Sequence, residues 1–156
     1  MRTIFGLPAH PLLVHLAVVL VPVTAVAVVV ATLRPAWRRR YHLPLLMMSV
    51  VGLLSILVAR QTGEEMYKWM NRDPPVANHR NLANGALVLM LLFTAATGAL
   101  AFVERRASAA SGASHRTATM VTSAIAVVTA VLVTVWVVRT GHEGARLTWK
   151  ITVQGK

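Results

Sequence analysis

The chain has 156 residues, 56% of them hydrophobic and only 13% charged, with 16 Lys+Arg against 5 Asp+Glu for a formal net charge of +11. A soluble domain usually carries about a quarter charged residues, so this composition and a mean hydropathy of +0.61 exclude both a soluble domain and a disordered basic tail. The absence of cysteine excludes disulfide scaffolds, cysteine-based zinc or iron–sulfur sites and thiol catalysis, and leaves a membrane-embedded unit.

A helix needs roughly 20 apolar residues to cross about 30 Å of hydrocarbon, and four stretches meet that length. The first span is predicted at about 11–33, uncharged throughout, with Pro22 acceptable as a membrane-helix kink. It is longer than a secretory h-region and is followed by Arg34 and Arg38–Arg40, the pattern of an anchored span and not of a cleaved signal. Arg34 to His42 reads as a basic loop. The second span, about 43–60, is the shortest; Gly63 is expected to cap its end. The following loop, 61–80, mixes Lys68, Arg72 and Arg80 with Glu64, Glu65 and Asp73, and Asp73-Pro74-Pro75 predicts an extended break. The third span, about 82–103, and the fourth, about 117–139, carry small residues (Gly85, Ala95, Ala96, Gly98, Ala99; Ser123, Ala124, Ala126) suited to close helix packing. Between them Arg105, Arg106 and Arg116 flank a flexible segment, Ala107 to Ser114. The tail Leu147 to Val153 alternates apolar and polar residues and reads as a short strand or a surface segment. Trp69, Trp136 and Trp149 match one aromatic belt, Trp37 the other.

The fold class that follows is all-α: one integral membrane four-helix bundle over residues 1–156. Clustering of arginine in the 34–42 and 104–116 segments puts both in the cytoplasm and both termini on the outer side. These arginines flank spans without a recognition helix, so they are topology signals that attract anionic lipid and not a nucleic-acid surface. The partner expected throughout is the lipid bilayer.

Six histidines occur, and the topology collects four at the outer face: His10, His15, His79 and His142; His42 and His115 lie in the inner loops. Histidine inside a span is costly unless it pairs, ligates or relays protons, which singles out His15. Haem b in a helical bundle needs two histidines from different helices, an apolar slot and cations for the propionates. His15 with His79 or His142 are the expected axial ligands, with Arg60, Arg80 and Arg139 at the same level and Arg60 and Arg139 as propionate partners. His10 and His15 are five residues apart, about 140° round a helix, so they do not share a face; for His10 a role at the start of the helix competes with ligation. The same set, His15, His79 and His142, serves equally as ligands for a non-haem transition metal. The competing reading of each is a bond to a neighbouring helix or turn. Glu143 is available to hold an imidazole N–H.

Gly6-Leu-Pro-Ala-His10-Pro11-Leu-Leu-Val-His15 and Gly141-His142-Glu-Gly144-Ala-Arg146-Leu-Thr-Trp149 resemble the two end signatures of a bacterial family of predicted membrane proteins, domain of unknown function 2231. The likeness covers nearly the whole chain, with His79 matching a histidine that opens the third span. It implies a four-helix domain with histidines at one face, in a bacterial inner membrane. Some relatives carry a Rieske-type module beside this domain, which implies redox work.

No nucleophile–base set, phosphate loop or HExxH pattern is present. The expected function is therefore that of a small b-type haem protein passing electrons at the outer face to a redox partner protein. The alternatives are a non-haem metal protein and an accessory subunit of a larger assembly or oligomer.

Overall fold

The computed structural model describes residues 3–4, 7–69, 74–106 and 113–154. A short hairpin, β1 (Thr3–Ile4) and β2 (Leu7–Pro8), precedes four helices: α1 (Ala9–Leu33), α2 (Pro35–Trp69), α3 (Pro74–Arg106) and α4 (Ala113–Gln154). In the hairpin Thr3 lies opposite Pro8 and Ile4 opposite Leu7. Helix α1 packs on α2 and α4, and α3 packs on the same two, closing an up-down-up-down square. All four helices are long and apolar enough to cross a bilayer.

The helices are longer than the apolar stretches, and the segments between them correspondingly shorter. At 1.5 Å per residue the 42 residues of α4 span about 63 Å, twice the hydrocarbon thickness. The expected basic loop at 34–42 is mostly helix. Pro35 opens α2, a first-turn position that needs no N–H, and the Trp37 and Arg38 amides donate to the Arg34 carbonyl at 2.9 and 3.0 Å. Gly63 is likewise no cap: α2 continues to Trp69, since Glu64, Glu65, Met66 and Lys68 are good helix formers. Pro74 and Pro75 fill the first turn of α3, while the expected break at Asp73 lies outside the described residues. Residues 107–112 of the expected linker also lie outside them, and Ala113 and Ser114 already belong to α4. The tail is neither strand nor loose segment, because α4 runs unbroken to Gln154.

Phe93, Met90, Val21, Val28 and Val133 are fully buried along the bundle axis, with Ala17, Ala25, Ala86, Ala96, Ala126 and Ala130 letting the helices close on them. Ala95, Ala99 and Ala124, expected among the packing residues, are instead exposed. Buried hydroxyls return to their own helix: Thr24 donates to the Leu20 carbonyl at 2.7 Å and Thr97 to that of Phe93 at 2.8 Å. Val19, Val23 and Val26 on α1 and Val128, Val131 and Val135 on α4 are exposed, an apolar surface that suits lipid. Trp136 leaves the expected belt for the bundle: its indole N–H donates to the Leu82 carbonyl at 2.9 Å, against the Cα of Gly85.

Ion pairs tie α2 to α3 at both ends. Arg38 donates to Glu104, whose side chain is 1% exposed, and Arg80 donates to Glu64 at 2.6 Å nearer solvent.

Candidate functional site

The start of α1, the end of α2, the start of α3 and the end of α4 meet at one end of the bundle. There they enclose a cavity of about 590 Å³, within the size range of small-molecule and cofactor sites. Its wall is mainly apolar, interrupted by three histidines (His10, His15 and His79), by Arg60 and Arg80, by the acid Glu64, and by hydroxyl groups such as those of Tyr67 and Thr140. The extension of α4 beyond the apolar span closes one side with Leu147, Thr148 and Trp149.

Two imidazoles face each other here. His10 from α1 and His79 from α3 lie with ring centroids 6.3 Å apart and planes at 77°. Both are half-buried. The His10 Nδ1–H donates to the Ala59 carbonyl at 2.9 Å, with Thr62 Oγ1 at 3.4 Å. A carbonyl only accepts, so the proton of the neutral ring sits on Nδ1 and Nε2 carries a lone pair. Burial pushes the His10 pKa below its ordinary 6.5, and the Ala59 bond only partly opposes this. His79 Nδ1 is buried without a hydrogen-bond partner, although the Thr140 carbonyl faces the ring from α4.

Glycines make both positions available. A Cβ on Gly63 would lie 2.9 Å from His10 Cε1, and one on Gly144 would lie 3.0 Å from His79 Cε1. Each imidazole therefore rests in a notch on the helix opposite. From the sequence Gly63 reads as a helix end; the one clue to the role of Gly63 and Gly144 is that strong helix formers continue past both.

The remaining expected residues distribute unevenly. His15, expected as an axial ligand, is an exposed residue bordering the cavity. His142 is exposed on α4 and does not line it. Arg60 borders the cavity and donates to Asn84 Oδ1 at 2.8 Å; Arg80 borders it while paired with Glu64. Arg139 is exposed and turned over the Trp136 ring at 5.5 Å, off the cavity wall. Glu143 pairs with Arg146 at 3.6 Å. The structure thus brings together His10 and His79, and leaves His15 at the rim and His142 and Arg139 outside. Among the described residues no three His, Asp or Glu side chains converge as a metal-ion site.

No curated protein and no solved structure matches the chain. One family model does match, over residues 6–156, and it takes in both histidine helices, both glycine notches and the whole cavity. The chain belongs to the predicted membrane protein family DUF2231.

Proposed function

We propose that this is a small b-type haem protein of a bacterial inner membrane, with His10 and His79 as the side chains that would hold the haem and the histidine end on the outer side. The observation that carries the reading is the His10–His79 pair, two imidazoles from separate helices with centroids 6.3 Å apart at the edge of a large apolar cavity. Imidazole nitrogens sit about 2 Å from a metal, so two rings sharing one ion would have centres within about 6 Å of each other. A naked ion needs further protein donors, and among the described residues a third is absent. A porphyrin brings four nitrogens of its own and asks the protein for two, which favours haem over the non-haem alternative.

The rest of the donor set fits as well. His10 is anchored through Nδ1 with Nε2 left over for a metal, the arrangement that orients ligating histidines generally. His79 has the Thr140 carbonyl beside its ring, and the Gly63 and Gly144 notches make room for both rings. Arg60 is the cation on the cavity wall that would meet a propionate, while Arg80 on the same wall is held by Glu64. Bound haem would supply one-electron chemistry; His10 and His79 would hold it, and the protein's part would be electron transfer with a partner docking at the same face.

A reduced-minus-oxidised spectrum of the detergent-purified protein tests this. The expected result is a Soret band with a six-coordinate low-spin signature, lost in His10→Ala and in His79→Ala and kept in His15→Ala and His142→Ala, all with unchanged helical circular dichroism. A protein without porphyrin after expression in haem-replete cells, or a band that survives both losses, overturns it.

A further inference from the structure

The opposite end of the bundle carries a second feature, independent of the histidines. Arg34, Arg38, Arg39 and Arg40 lie at the α1–α2 junction, with Arg105 and Arg106 at the end of α3 and Arg116 at the start of α4. Glu104 is the single acid in the segments 34–42 and 104–116, and the buried pair with Arg38 consumes it. Because Arg38 turns inward to that pair, Arg39 and Arg40 remain on the outer side of α2. There, with Pro35 and Ala36, they line a shallow recess.

The surroundings of this recess match a membrane surface. Trp37 and Tyr41 are exposed beside it, edge to face at 6.3 Å, and such rings favour the headgroup level. The Arg34 guanidinium lies 4.7 Å over the Trp37 ring and that of Arg40 lies 5.8 Å from the Tyr41 ring, which spreads the charges along the surface. The apolar wall starts alongside, with Leu33 75% and Met47 68% exposed. A ligand that places an anionic phosphate against two guanidinium groups and an acyl chain along that wall satisfies both halves. We propose that the Arg39–Arg40 recess is a binding site for an anionic phospholipid such as phosphatidylglycerol, with its phosphate between the two arginines. A soluble phosphate has no use for the apolar half, and nucleic acid has no access to a face that abuts lipid.

Detergent-purified full-length protein titrated with phosphatidylglycerol, with bound lipids counted by native mass spectrometry, tests the site. Basic residues at a membrane surface contribute about fivefold each to anionic lipid attraction, so Arg39→Gln/Arg40→Gln is expected to weaken the tightest binding roughly 25-fold. Arg106→Gln/Arg116→Gln, an equal charge loss at the same end, is expected to change it little. Phosphatidylcholine and glycerol phosphate are expected to leave the site unfilled. Equal losses from both pairs of substitutions mean diffuse attraction and overturn the site, as does saturation by glycerol phosphate. Thermal melts with and without phosphatidylglycerol provide a second readout, since a lipid-induced rise retained in Arg39→Gln/Arg40→Gln also overturns it.

Discussion

At the scale of single residues, the three glycines that receive an aromatic or imidazole ring behave differently, because their guests differ in freedom. A Cβ on Gly85 would sit 2.5 Å from the Trp136 indole nitrogen, which is tied to Leu82. Gly85→Ala is therefore expected to overpack the bundle and cost about 2 kcal/mol, more than the up to about 1 kcal/mol of helix propensity it gains; thermal melting in detergent measures the net. Gly63→Ala meets only the edge of an imidazole, so the expected outcome is a small stability change with displaced His10 and, under the proposed function, a weaker Soret band. The pH response of the protein without any ligand has a definite sign. His10 titrates below 6.5 in the fold, so between the two values the unfolded chain binds more protons. The stability this group contributes is fully present above pH 6.5 and is lost as pH falls through its folded pKa. Melting temperature is expected to drop between pH 7.5 and 5, with a flatter profile in His10→Gln; an identical profile in that variant contradicts the assignment. His10 also marks what was legible at this scale. Its type and its place at a helix start could be read directly, but its partner Ala59 is 49 residues away and no local pattern announces it.

At the scale of elements, the four spans follow from apolar run length, and all four helices contain them. The ends do not follow from it, because helix continues wherever good formers and a neighbouring helix support it. Residues 61–69 and 140–154 carry too much charge and glycine to resemble spans, yet they complete α2 and α4 and build the cavity wall. The junction of α2 with α3 depends on Arg38 and Glu104. Removing one partner leaves a buried charge without compensation, so Arg38→Ala is expected to cost about 3 kcal/mol, while Glu64→Gln at the other end changes stability little because that pair stands near solvent. Denaturation of both variants in the same detergent compares them directly.

At the scale of the whole molecule, the asymmetry between a histidine end and an arginine end organises everything else. The positive-inside rule predicts that the arginine end faces the cytoplasm. The chain has no cysteine, so single introduced thiols report cleanly. His142→Cys is expected to react with an impermeant maleimide in intact cells, and Ala36→Cys only after the membrane is opened; the reverse pattern inverts the orientation and puts the histidine end inside. The sequence alone determined the number of spans, their apolarity and the charge asymmetry between the two ends, because these depend on how many apolar residues run together and where arginines cluster. Only the tertiary structure decided which histidines meet. A ring's direction is set by the helix face that packing selects and by a notch on a distant helix, and that is why His10, not His15, stands opposite His79.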